Sequence, residues 1–181
     1  MANNCYNFIQ INGSVEEIKE FRTILESKDK QEDGFDIYQN LKFDFKEFGD
    51  FGNDGKWFDV DVHEETSPEE ILISGDSAWC PCLELFTAIS EKYESFFIRY
   101  EYEEMGCDFS GYAEIEKGFC NDHQFTYWKG IFEMRGEEET KQNVLDNELE
   151  CYETEEELRA ADFFALFSLD NQKEILEAFN S

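Results

Sequence analysis

Residues 69–93 read EEILISGDSAWCPCLELFTAISEKY, and two periodicities meet within them. Residues 69–74 hold a short apolar run led by acids, the pattern of a strand. From Cys82 the spacing changes: Cys82, Phe86, Ile89 and Tyr93 recur on one helical face, with Leu85 beside them. Between the two lies Asp76-Ser-Ala-Trp-Cys-Pro81. A strand that turns directly into a helix needs few special residues. Asp76 or Ser77 is expected to tie to nearby backbone, Trp79 to enter the core, and Pro81 to open the helix, where its missing N–H costs nothing.

The flanking sequence repeats the theme. Residues 5–12, CYNFIQIN, alternate as a strand, and Gly13 ends it. Ser14 and Glu17 fit a capping box, and Val15, Ile18, Phe21, Ile24 and Leu25 make 15–27 an amphipathic helix. Residues 35–48 alternate Phe and Tyr with polar residues, 52–55 (GNDG) read as a turn, and 56–65 alternate again. After the second helix, 95–104 (SFFIRYEYEE) predict a strand, 105–108 a turn and 109–118 a strand that pairs back as a hairpin. Residues 123–134, HQFTYWKGIFEM, predict a further strand interrupted at Gly130. Strand, helix, strands, helix, strands is an α+β order, with two helices on one face of a mainly antiparallel sheet. A ferredoxin-like split βαβ core with extra hairpin strands satisfies it.

Past Arg135 the composition shifts. Residues 137–157 hold ten acids against one base, Lys141. Two short amphipathic helices are then expected, the first carrying Leu158, Phe163, Phe164 and Phe167, the second Leu169, Ile175, Leu176 and Phe179. The chain thus divides into a domain over 1–134 and an acidic helical segment over 135–181. The Phe cluster either docks on the sheet or faces a partner, and exposed Phe clusters are liabilities.

Charge excludes more than any motif does. The 181 residues contain 44 Asp and Glu against 15 Lys and Arg, a formal net charge of −29, spread nearly evenly along the chain. A compact chain of this length is about 40 Å across, and duplex DNA carries about 24 charges over that span. The protein's field therefore opposes direct binding to nucleic acid or to an anionic membrane and draws in basic partners. Aromatic content of 17% separates the chain from disordered acidic tails.

Six cysteines, at 5, 80, 82, 107, 120 and 151, accompany a start with neither a basic region nor a long apolar run. They read as free and mostly buried thiols of a cytoplasmic protein in a host cell. No catalytic residue emerges. Ser77 would need His63 or His123 as base, and no Gly-x-Ser-x-Gly elbow is present. Cys80, Cys82, Cys107, Cys120 and His123 could in principle bind zinc, but Cys-x-Cys is not the usual knuckle spacing. A thiol nucleophile is disfavoured, since the surrounding negative charge raises a thiol pKa. Base stacking on the sheet is opposed by the Glu and Asp on its strands.

Four short elements carry a resemblance. Residues 76–81 resemble the Asp-Ser/Thr-Ala-Trp-x-Pro element of the YubB-type ferredoxin-like domain proteins of phages and plasmids. Residues 3–7, NNCYN, are similar to that family's Asn-x-Cys-x-Asn opening, and 102–111, YEEMGCDFSG, to its Tyr-Glu-Glu-x-Gly-x-x-Phe-x-Gly segment. Residues 55–62, GKWFDVDV, are similar to its Gly-x-Lys-Trp element. The resemblance spans about residues 1–134; Cys82 stands where the family often has a second Pro. It implies the fold and a mobile-element origin, makes Asp76, Ser77, Trp79, Pro81, Gly106 and Gly111 motif positions, and supplies no chemistry.

Together these readings favour a non-enzymatic acidic protein without a cofactor, one that inhibits a basic nucleic-acid-binding protein or ribonucleoprotein of the host, as anti-CRISPR or anti-restriction mimics do. Its expected contacts are Glu137, Glu138, Glu139, Glu155, Glu156 and Glu157, with Phe163, Phe164 and Phe167 as anchors. The alternatives are an accessory domain without mimicry and a zinc protein or enzyme.

Overall fold

The computed structural model describes residues 4–26, 57–63 and 67–181. The stretches expected to alternate at 35–48 and to turn at 52–55 lie outside them. The described elements run β1 (Asn4–Asn12), α1 (Val15–Glu26), β2 (Trp57–Val62), β3 (Glu70–Ala78), α2 (Leu83–Lys92), β4 (Phe97–Glu104), β5 (Phe109–Glu116) and β6 (Phe119–Phe125). Four further helices follow: α3 (Tyr127–Arg135), α4 (Glu137–Asn147), α5 (Glu155–Ala160) and α6 (Leu169–Phe179).

Six strands form one antiparallel sheet in the order β2-β3-β1-β4-β5-β6. The first four reproduce the split βαβ arrangement, and β5 and β6 extend it by hairpin pairing beyond β4. The α+β ferredoxin-like fold is therefore present, with its C-terminal helical extension. Alternation decides the faces. Cys5, Ile9, Ile11, Ile71, Ile73, Ile98, Tyr100, Ala113 and Ile115 point to one side, where Ile18, Phe21 and Leu25 of α1 and Leu85, Phe86 and Ile89 of α2 bury them.

The capping box of α1 is half made. Ser14 Oγ accepts from Glu17 N at 3.3 Å, but the Glu17 carboxylate accepts from Ser95 N at 3.1 Å, and Ser95 Oγ accepts from Ser14 N at 2.8 Å. Ser95, just before β4, thus takes over the returning half of the box and fastens α1 to the sheet.

Residues 123–134 do not form one strand. Strand β6 stops at Phe125, and α3 begins at Tyr127. Its buried Tyr127, Gly130 and Ile131 fall at helical spacing and face the sheet side opposite α1 and α2. Gly130 is what lets the helix land, since a Cβ there would meet Ser110 Oγ and come within 2.8 Å of Ser110 O. What reads as an interruption in a strand is a contact surface on a helix.

The acidic stretch also folds. Helix α4 carries Glu137, Glu138 and Glu139 in its first turn, where the helix dipole favours them. The expected first C-terminal helix is only α5, capped by a complete Thr154–Glu157 box, and Phe164–Leu166 follow as a 3-10 turn. The second forms as expected, as α6. These elements share a second hydrophobic cluster of Val144, Leu158, Phe163, Phe164, Phe167 and Ile175, to which Trp128 and Phe132 of α3 are added. Helix α3 is thus the rivet between sheet and helical unit.

Gly→Ala within an exposed helix stabilises by about 1 kcal/mol. Gly130→Ala is expected to do the opposite and cost about 1–3 kcal/mol through overpacking on Ser110, read as a lower urea midpoint.

Candidate functional site

The motif residues converge at one end of the sheet, where β1 starts and β3 and β4 end. Asn7 is fully buried at their centre. Its Nδ2 donates to Cys5 O at 2.7 Å, Gly75 O at 3.1 Å and Ser77 Oγ at 2.9 Å, and its Oδ1 accepts from Tyr100 Oη at 2.8 Å. Tyr100 Oη in turn accepts from Cys82 N at 3.0 Å, at the head of α2. Ser77, also fully buried, donates from Oγ to Cys80 O at 2.7 Å. One amide therefore joins β1, β3, β4 and the segment leading into α2. Such a network stabilises only when every member is satisfied.

This bracing holds an unusual turn. Strand β3 runs on through Asp76, Ser77 and Ala78, so half of the supposed junction is strand. Trp79 then sits at φ 71°, and Cys80 N donates to Ala78 O at 2.9 Å, closing a γ-turn of the strained, positive-φ kind. A bulky side chain in this region costs about 1–2 kcal/mol. Trp79 was expected in the core; its indole is 51% exposed. The turn inverts the side-chain direction that strand alternation would have set. Pro81 does not open the helix either. It precedes the N-cap Cys82, and α2 starts at Leu83.

The other motif positions serve the same end. Asp76 accepts from Asn4 Nδ2 at 3.3 Å on the opposite face. Gly106 N donates to Glu104 Oε1 at 3.1 Å in a 3-10 turn, Met105–Cys107. Gly111 leaves room for Tyr102, whose hydroxyl would lie 2.7 Å from a Cβ there. Tyr102 Oη donates to Asp122 at 2.6 Å, and burial followed by that carboxylate holds its phenol protonated far above the usual range. Sequence reading gave Glu104 no role of its own. It is only 3% exposed, and among the described residues its Oε2 has no hydrogen-bond partner.

The constellations weighed for chemistry are placed apart. Ser77 lies on the core side, whereas His123 bonds Asn121 at 2.9 Å and stacks on Tyr112, and His63 bonds Ser74 at 3.0 Å, both on the opposite side. Ser77 thus meets neither histidine; the serine that contacts His63 is Ser74. Among the described residues no three His, Cys, Asp or Glu side chains converge as a metal-holding group. The six cysteines are not paired as disulfides, and only Cys5 and Cys82 are buried, while Cys107, Cys120 and Cys151 are exposed, against the expectation of mostly buried thiols. Burial, aided by Cys80, Cys82 and Glu104, pushes the Cys5 thiol up to about 12.

Phe163, Phe164 and Phe167, expected as anchors, are 0%, 4% and 4% exposed, docked in the second cluster. Several of the expected contact glutamates hold the helical unit together instead. Glu137 accepts from Ser168 N at 2.6 Å, and hydrogen bonds from Ser168 keep its carboxyl below the ordinary range. Glu138 is lowered by Lys141 and Asn171, and Lys141 is raised by Glu174 and Glu138. Glu155 pairs with Arg159 at 2.7 Å, and Glu157 completes the cap of α5. Glu139 lies 4.0 Å from Arg135, and Glu156 is exposed.

Geometry and topology define a ferredoxin-like α+β domain carrying extra strands and helices. Residues 56–148 match the family described as the ferredoxin-like domain in Api92-like protein, and the chain belongs to that family. The YubB-type assignment suggested by the motifs gives way to this one. The match begins at the threshold of β2 and runs through the end of α4, so β1, central in the sheet, and α1 are supplied from outside it. No curated protein and no solved structure matches the chain. No helix among the described residues is long and apolar enough to cross a membrane.

Two substitutions separate brace from turn. Asn7→Ala takes the acceptor from the Tyr100 hydroxyl and a donor from Ser77 Oγ, and is expected to cost about 2–3 kcal/mol. Trp79→Gly, relieved of its backbone strain, is expected to melt at the same temperature as the parent or above it, as calorimetry of the two variants would show.

Proposed function

We propose that this chain is a non-enzymatic binding protein of a phage or related mobile element, and that it occupies the nucleic-acid site of a basic host protein. The observation that carries the reading is the net charge of −29, spread over the whole chain rather than gathered in a tail. A field of that sign and extent speeds encounter with a basic groove and repels nucleic acid from the same place. Anti-CRISPR or anti-restriction inhibition is its concrete form.

The structure changes which residues the proposal rests on. Buried Phe163, Phe164 and Phe167 yield the anchoring role to Trp79, an exposed indole on a strained turn, of the residue type that most often carries interface energy. Strain that a buried network sustains is a feature of functional turns. The acids available to a partner are those without a scaffold task, Glu156 above all.

Tagged protein incubated with host lysate at low and high salt is expected to retain a nucleic-acid-binding protein at low salt. That protein should be released by salt and by its own RNA or DNA. Glu156→Lys should weaken capture about two- to fivefold without lowering the melting temperature, whereas Glu157→Lys should lower the melting temperature by removing the carboxylate half of the α5 capping box. Capture that is insensitive to salt and nucleic acid sinks mimicry and leaves an accessory domain whose acidity serves solubility.

A further inference from the structure

A cleft of about 360 Å³ opens where the sheet meets the helical unit. Its wall on the sheet side is Met105 and Asp108, from the turn after β4. The opposite wall is Tyr127 and Trp128 at the head of α3, with Tyr152 and Asp162 from the segments flanking α5. That volume falls within the range of about 300–1,000 Å³ typical of small-ligand sites.

Its composition is one-sided. Tyr127 and Trp128 meet edge to face at 5.2 Å, and Trp128 meets Phe163 at 5.0 Å, so the aromatic wall is held in place by packing. Two carboxylates, Asp108 and Asp162, stand among these rings, and no Lys or Arg is among the lining residues. The potential inside is negative. Burial and then Glu103 raise the Tyr127 phenol to about 12, and burial, Glu148 and Asp162 raise that of Tyr152. The cations next in sequence to lining residues are engaged elsewhere: Lys129 lies over the Phe125 ring, and Arg159 pairs with Glu155 and lies over the Phe164 ring.

Aromatic faces interleaved with carboxylates and lacking a resident base bind organic cations. Among cations a guanidinium suits both elements, because its plane stacks on a ring while its fork meets a carboxylate. We propose that this cleft receives an arginine side chain from the basic partner. The assignment rests on the function proposed above and adds a specific pocket to a general field.

Asp108 offers a clean test. It sits at φ 54°, a conformation that asparagine tolerates, and it accepts from Tyr127 N through Oδ1, an acceptor that asparagine retains. Asp108→Asn with Asp162→Asn therefore removes two charges and leaves the turn intact. The control removes two charges at the other end of β4, Glu16→Gln with Glu94→Gln, both exposed positions. The full chain is titrated with oligo-arginine and with oligo-lysine of equal length, by calorimetry and by the indole N–H resonances of its three Trp residues.

Oligo-arginine is expected to bind more tightly than oligo-lysine and to shift the Trp128 resonance, an observation that needs no variant. The Asp108/Asp162 pair should weaken oligo-arginine binding about tenfold, and the control pair about twofold or less. Equal weakening by the two pairs, or an unmoved Trp128 resonance in a complex that forms, overturns the cleft and leaves the general field standing. Equal affinity for the two peptides overturns the guanidinium assignment. Failure of both peptides to bind overturns the proposed function itself and the cleft with it.

Discussion

A single buried amide does the most to hold this protein's working end together. Asn7 is fully buried, so every one of its hydrogen bonds must be met within the protein, and its partners come from three strands. Cys5 lies on its own strand, Gly75 and Ser77 on β3, and Tyr100 on β4, with Tyr100 passing the constraint on to the head of α2. A misregistered sheet would leave the amide unpaired at a cost of several kcal/mol. The network thereby selects one register and one path into α2. It also explains why the short motifs sit so far apart in sequence: they are pieces of one polar island.

That island supports the Trp79 turn. Ordinary strand-to-helix connections relax into unstrained backbone; this one is pinned on both sides of the indole, by Ser77 below and by the Cys80 and Cys82 backbone above. Rigidity at the base lets the tip be exposed without being floppy, and so reduces the ordering cost of binding. At the far side of the same sheet end, the turn after β4 supplies one wall of the aromatic, carboxylate-lined cleft. An exposed indole and a carboxylate-lined cleft, both set on rigid supports, are what the proposed basic partner would meet.

The acidic C-terminal unit shows how charge and fold coexist. Its glutamates at the start of α4 meet a helix N-terminus, a serine cap and the nearly buried Lys141, so several negative charges are neutralised locally before any partner arrives. Residue type alone does not separate a scaffold glutamate from a contact glutamate. Glu155, Glu156 and Glu157 are consecutive and identical in chemistry, yet one pairs with Arg159, one completes a capping box and one faces solvent.

Periodicity by itself determined the ferredoxin-like core, because a strand with one buried face and a helix with one buried stripe leave different apolar spacings, and β1, α1, β3, α2 and β4 all keep theirs. Net charge, a sum over the chain, was equally plain. Tertiary structure decided what local pattern does not encode. Residues 127–135 alternate well enough for a strand, but Gly130 must sit against Ser110, and only a helix brings Tyr127, Gly130 and Ile131 to one side. Helix α4 carries little apolar pattern and is stabilised by long-range partners such as Asn171 and Glu174. The exposure of Trp79 follows from a backbone angle held through Ser77, whose hydroxyl bonds Cys5 O 72 positions away, and the cleft from the docking of α3 and the segments around α5 against the turn after β4. Hydrophobic spacing is a property of neighbours in sequence; a hydrogen bond that closes across the sheet, or a cleft between two packed units, exists only once the chain has folded.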